Sequence, residues 1–235
     1  MKRRWLVAAA GSAVLLVAAG CGQVRDAGPT TTAQRPVSGI QAVQLETSGD
    51  LTINVGAGES LTIDAGANVI DGLTSDVVDG TLVLGGKADA WFGGSIRYTL
   101  TVTSLDRIEL AGSGSVTGAG VPTGKGMLAV SGSGSATLSG LQLADLTADI
   151  SGSGGMTLTG AATTAAITIG GSGDFDGSGL ATEQATVEIS GSGQARVDVS
   201  DTLAATVSGS GDVVYTGNPT SVQRNRTGSG DIVAG

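Results

Sequence analysis

Apolar residues in the second half of the chain keep fixed places relative to a recurring Gly-Ser-Gly tripeptide. Its serines stand at Ser113, Ser133, Ser153, Ser172, Ser192, Ser210 and Ser229, at intervals of 20, 20, 19, 20, 18 and 19 residues. Three residues before each serine come Leu110, Val130, Ile150, Ile169, Ile189 and Val207, and only Arg226 breaks the series. Five before come Ile108, Leu128, Ala148, Ile167, Val187 and Ala205, with Arg224 in the last repeat. Three after come Val116, Ala136, Met156, Phe175, Ala195, Val213 and Ile232. Residues two apart project to the same side of a strand. Each repeat therefore predicts a strand, a Gly-Ser-Gly bend, a second strand and a further bend, often at a glycine such as Gly140, Gly160 or Gly179. One repeat alone cannot bury its apolar side, whereas stacking the next ~4.8 Å above it pairs the backbones and lines like residues into ladders. The expectation is an all-β solenoid with coils of about 19–20 residues over 105–235, its seven bends aligned in one seam. The glycines of both bends are expected to allow positive φ, and the two arginines to end the ladder and block further strand addition.

Upstream, 39–104 reads as short strands broken by Gly and Asp turns, at Gln41–Glu46, Asp50–Val55, Ser60–Asp64, Leu73–Val78, Thr81–Leu84 and Arg97–Thr103, with room for one helical turn at Asn68–Leu73. This part is expected to start the sheet and cover its open end. Residues 21–38 lack hydrophobic periodicity and predict a flexible tether. Residues 1–20 have the build of a secretory leader: Lys2, Arg3 and Arg4, an uncharged apolar run over Trp5–Ala19, and small residues at its close. The stretch Val17-Ala18-Ala19-Gly20-Cys21 resembles a bacterial lipobox, although Ala18 stands where Leu is usual. The resemblance implies cleavage before Cys21, diacylglycerol on its sulfur, palmitate-type acylation and anchoring at the extracytoplasmic face of the cell membrane.

Composition narrows the chemistry. There is no histidine, so a Ser-His-Asp triad and a Cys-His dyad are excluded within this chain. Cys21 is the only cysteine, so there is no internal disulfide and no cysteine metal cage. From Cys21 onward 9 basic residues face 21 acidic ones, a balance of −12, which repels a phosphate backbone and argues against nucleic acid as a partner.

Three stretches carry a resemblance to a known family: Leu51-Thr52-Ile53-Asn54-Val55-Gly56 with Glu59-Ser60-Leu61-Thr62-Ile63; Asp79-Gly80-Thr81-Leu82-Val83-Leu84; and Tyr215-Thr216-Gly217-Asn218-Pro219 with Thr227-Gly228-Ser229-Gly230-Asp231-Ile232. With the Gly-Ser-Gly series, they make Gly39–Gly235 similar to the auto-transporter adhesin head family, also called the GIN domain. The resemblance implies a right-handed parallel β-helix and brings no catalytic residues.

Candidate chemistry is sparse. Asp174, Asp212 and Asp231 share one column, two residues after the serine, with Ser115, Ser135, Gly155 and Gln194 on the other rungs. Ca²⁺ wants 6–8 oxygens, and this column is better read as surface. Asp174/Asp176 and Asp198/Asp201 are the nearest approach to the carboxylate pairs of polysaccharide-cleaving enzymes. Their glycine- and serine-rich surroundings predict solvated charges instead. Trp91 and Phe92 form an aromatic pair that either plugs the solenoid end or offers a surface contact. No cofactor and no metal site is expected. The leading expectation is a membrane-tethered, non-enzymatic β-helix serving adhesion, envelope interaction or scaffolding, toward an envelope polysaccharide or surface protein. A carbohydrate-binding module or degenerate polysaccharide-acting enzyme, and an accessory envelope-stress or signalling lipoprotein, are the alternatives. Oligomeric state is left open by the sequence.

Overall fold

The computed structural model describes residues 26–88 and 93–235. Among them the chain forms β1 (Thr30–Arg35), β2 (Ala42–Leu45), β3 (Asp50–Val55), β4 (Ser60–Gly66), β5 (Leu73–Val78), β6 (Thr81–Gly86), β7 (Arg97–Val102), β8 (Arg107–Leu110) and β9 (Ser115–Ala119). The repeats follow as β10 (Thr123–Val130), β11 (Ser135–Ile150), β12 (Gly155–Ile169), β13 (Asp174–Ile189), β14 (Gln194–Val207), β15 (Asp212–Thr216), β16 (Ser221–Arg226) and β17 (Ile232–Ala234). A 3-10 turn at Ile70–Gly72 falls inside the segment where one helical turn is expected.

The expected solenoid is present. The long strands pair in parallel, each with the coil before and after it. Within a coil three runs alternate with bends: in β11 these are a front run Ser135–Leu138, a middle run Leu141–Leu143 and a back run Asp145–Ile150. The Gly-Ser-Gly bend joins each back run to the next front run.

The stacking order departs from chain order at one place. The coil made by β2 and β3 lies between two later ones. β2 pairs in parallel with β6 below and β8 above, and β3 with β7 and β9. Thr47-Ser48-Gly49 thereby becomes the first rung of the Gly-Ser-Gly seam. The period search misses it because Ser48 lies 65 residues before its stacking partner Ser113. Its flanks nonetheless obey the repeat, with Val43 and Leu45 before and Leu51 after. Thr47 stands where the later rungs have glycine, and its hydroxyl donates to the Tyr98 hydroxyl at 3.3 Å.

The core is the expected set of ladders. The back-run ladder passes from Leu84 through Leu45, Leu110, Val130, Ile150, Ile169 and Ile189 to Val207, every member buried. In the front-run ladder Tyr98, Leu51, Val116, Ala136, Met156, Phe175, Ala195 and Val213 are buried in turn. Bulk is balanced locally: a Cβ on Gly177 would meet the Phe175 ring at 2.6 Å.

The positive-φ expectation holds at the second bend, where Gly140 (φ 64°) and Gly160 (φ 132°) adopt it, but at none of the seam glycines. Their role is close approach. A Cβ on Gly132 would stand 1.9 Å from the carbonyl oxygen of Gly112, on Gly191 1.8 Å from that of Gly171, and on Gly230 1.7 Å from that of Gly211. Hydrogen atoms on Cα let successive bends nest at strand spacing, and no larger residue fits.

The two ends finish differently. At the N-terminal end β5 runs antiparallel to β6, and β4 antiparallel to β7. The tether expectation for 21–38 is corrected over part of its length: Thr30–Arg35 is strand β1, antiparallel to β4 from Thr30↔Gly66 to Arg35↔Leu61. Ordered contacts begin earlier still, with the Asn68 amide donating to the carbonyl of Asp26 at 3.0 Å. Thr-Thr-Thr-Ala-Gln-Arg shows no apolar period because an edge strand mostly supplies backbone partners, here to the otherwise bare β4. At the other end Arg224 stacks above Ala205 and Arg226 above Val207. Arg224 lies 5.3 Å from the Tyr215 ring centroid and bonds its hydroxyl, and Arg226 pairs with Asp231. The arginines end the ladder, as expected.

Candidate interaction surfaces

All seven Gly-Ser-Gly serines, and Ser48 with them, are exposed, while the glycine after each is buried. They form a polar ridge along one corner. Backbone bonds tie it from coil to coil, as where the Ser192 N–H donates to the Gly171 carbonyl at 3.0 Å.

A second feature was invisible in chain order. The outward positions of the front runs line up Thr62, Thr99, Thr52, Thr117, Thr137 and Thr157 on consecutive rungs. All but the half-buried Thr62 are exposed. Threonine suits an outward strand position for its β-branching. Here it also leaves a flat, uncharged strip of hydroxyl and methyl groups about 24 Å long, given five strand spacings. The column continues into Asp176, Arg196 and Val214. The only sequence signal for it is the shared place of each threonine four residues after a seam serine, which Thr52, Thr117, Thr137 and Thr157 keep.

The aspartate column is where the sequence places it, extended downward by Asp50. Its carboxylates brace neighbouring coils. Asp174 accepts the Gln194 N–H at 3.0 Å, Asp212 accepts the Asp231 N–H at 2.7 Å, and Asp50 accepts the Ser115 hydroxyl at 2.7 Å. Among the described residues no group of three metal-ligating side chains converges.

The candidate carboxylate pairs are likewise occupied with structure. Asp176 accepts the Ser178 hydroxyl at 2.6 Å and its N–H at 3.1 Å, which holds its carboxyl below the usual range. Asp201 accepts the Thr220 hydroxyl at 2.9 Å, and Asp198 that of Thr216 at 3.4 Å. Asp145 is lowered by the Thr164 hydroxyl and, after it, by Lys125 at 3.4 Å. Tyr98 is the opposite case, its phenol raised by burial against a smaller effect of Thr47.

A pH expectation follows. A carboxylate whose folded pKa is depressed stabilises the fold above its ordinary pKa of about 4, and that stability is lost as pH falls through the folded value. With no histidine in the chain, no side chain of ordinary pKa titrates in between. Thermal unfolding should give a nearly constant midpoint from pH 8 to 5 and a decline only below about pH 4. A step centred near pH 6.5 would contradict this.

The grooves are shallow and open. One, of about 500 Å³, crosses the middle runs of four coils. Another, of about 730 Å³, lies beside Arg107, Lys125 and the half-exposed Met127. Cys21, Trp91 and Phe92 lie outside the described residues. Among the described residues no helix is long and apolar enough to cross a membrane.

A family model described as "Putative auto-transporter adhesin, head GIN domain" matches residues 40–219. A crystal structure described as a putative adhesin from Bacteroides fragilis superposes with a TM-score of 0.82 at 22% identity, covering 88% of this chain and 97% of that one. A putative adhesin from Parabacteroides distasonis gives 0.68 at 22% identity, over 88% and 98%. A putative lipid binding protein from the same organism gives 0.71 at 21% identity, over 88% and 97%. At these identities the likeness is one of fold. No curated protein matches the chain.

Proposed function

The chain belongs to the auto-transporter adhesin head GIN domain family; we propose, from the basic and apolar leader and the lipobox-like Val17–Cys21, that it is an exported lipoprotein anchored through Cys21, and that its solenoid works by surface contact rather than catalysis. One observation carries the contact reading: an unbroken threonine strip beside a serine ridge, on a scaffold whose strands are engaged coil to coil. Such faces offer many weak, repeated hydrogen bonds over a long contact and no enclosed space in which to exclude water from a reaction. The sequence alternatives find less support. Of the candidate carboxylate pairs, each member is braced by a hydroxyl or a backbone N–H, and no aromatic side chain lines the groove that contains Asp198.

Two measurements test the reading. Cys21→Ala should abolish incorporation of a palmitate analogue and move the protein from the membrane to the soluble fraction; retained label would refute the anchor. Cells carrying the chain should attach to immobilised envelopes of the same species several-fold better than deletion cells. Equal attachment, or cleavage of envelope polysaccharide by the purified protein, would overturn the contact reading.

A further inference from the structure

Order that begins at Asp26 changes what the N-terminal segment does. The Asn68 amide donates to the Asp26 carbonyl at 3.0 Å, the Asn68 N–H to the Ala27 carbonyl at 3.0 Å, and the Ala67 N–H to the Pro29 carbonyl at 2.9 Å. Gly66 is pressed against the same stretch, since a Cβ there would stand 2.1 Å from the Ala27 carbonyl oxygen. Asp26–Pro29 is thus fastened to one corner of the solenoid's N-terminal end, beside the turn that follows β4.

Four residues, Gly22 to Arg25, separate this corner from Cys21. Fully extended, those five chain steps span about 17 Å. A tether over the whole of 21–38 would reach about 60 Å. The opposite end of the solenoid lies far outside the shorter radius. Eleven strands stack along the front runs from β1 to β17, and their ten spacings make about 48 Å. A lipid on Cys21 therefore holds the β1 end at the bilayer and leaves the β17 end out of reach.

Charge decides how the rest is carried. Strands β11 to β14 bear eight carboxylates, the exposed Asp145, Asp149, Glu183 and Glu188 among them, against Arg196 alone. A solenoid lying on its side would bring rows of these within a Debye length, about 8 Å, of anionic headgroups. Standing upright leaves only the anchored end in that layer.

We infer that the lipidated chain stands end-on, with the corner formed by Asp26–Pro29 and Gly66–Asn68 facing an anionic phospholipid bilayer and β16 and β17 as the outermost rungs. This orientation rests on the proposed anchoring through Cys21 and gives that anchor a direction. It also sets the threonine strip upright, rising from Thr62 near the membrane and open to a partner along its length.

The test is energy transfer on the lipidated full chain in phosphatidylcholine vesicles that contain phosphatidylglycerol and a rhodamine-labelled acceptor lipid. The Cys21 sulfur carries the lipid, so an introduced cysteine is the one thiol open to a donor dye. Ala67→Cys, Ser153→Cys and Val233→Cys replace exposed residues at the anchored end, partway up and at the far end. Transfer should be strongest from position 67, intermediate from 153 and several-fold weaker from 233. An insert of about 20 Gly and Ser residues before Asp26, with a root-mean-square span of about 25 Å, should lower transfer from position 67. Equal transfer from the three positions, a reversed order, or a signal at position 67 indifferent to the insert would overturn the orientation. If the unsubstituted chain does not float with the vesicles, the anchoring reading itself fails; flotation with a level transfer profile sinks the orientation alone.

Discussion

Replacing Ile150 with aspartate is expected to lower the unfolding midpoint by roughly 10–20 °C and to broaden the transition, on a loss of about 5 kcal/mol or more. Ile150 is fully buried in the back-run ladder, between Val130 and Ile169. Its replacement removes an aliphatic contact on both sides and leaves a carboxylate with no cation and no water. In a stacked architecture the damage spreads, because each coil is held only by its neighbours. Ile150→Val, which keeps the ladder, should cost only about 0.5–1.5 kcal/mol. Thermal unfolding followed by circular dichroism distinguishes the two. An aspartate variant that melts with the parent protein would show that the ladder does not face inward.

Adding a single carbon to the seam is expected to be nearly as damaging. In Gly191→Ala the new Cβ would lie 1.8 Å from the Gly171 carbonyl oxygen. Relief requires the two bends to separate, which would break the Ser192 N–H bond to Gly171 as well. A cost of about 3 kcal/mol is expected, equivalent to a fall of roughly 6–12 °C. Gly124→Ala is the informative comparison. Gly124 has nothing within 4 Å of its virtual Cβ but sits at φ +72°. That change should cost about 1 kcal/mol through backbone conformation alone. If both variants lost the same small amount, contact between bends would not be what keeps glycine in the seam.

The repeats were legible because their stabilising pattern is local and periodic. Ile150, Ile169 and Ile189 sit at one offset from a marked tripeptide, and the same offset puts them in one column. What escaped was everything that depends on which coil lies beside which. Thr52 and Thr99 are neighbours across a strand spacing although β4 to β6 intervene in sequence, so no scan along the chain assembles the threonine strip. For glycine, the sequence marks where a side chain is forbidden but not whether torsion, as at Gly140, or a neighbouring carbonyl, as at Gly191, forbids it. The strand at Thr30–Arg35 left no trace because its partners are backbone groups.

The coil at Ala42–Val55, seated between segments made later, has a consequence for how the molecule comes into being. A polypeptide delivered N-terminus first exposes this coil with both of its flanks bare. Its lower neighbour is complete only once Val102 has emerged, and its upper one only once Ala119 has. Until then Leu45, Leu51 and Ile53 lack the partners that bury them, and this stretch is the most exposed to proteases and to self-association. From Thr123 onward each newly delivered coil meets a finished template, so maturation should be slow for the first half of the chain and a rapid zipping for the rest.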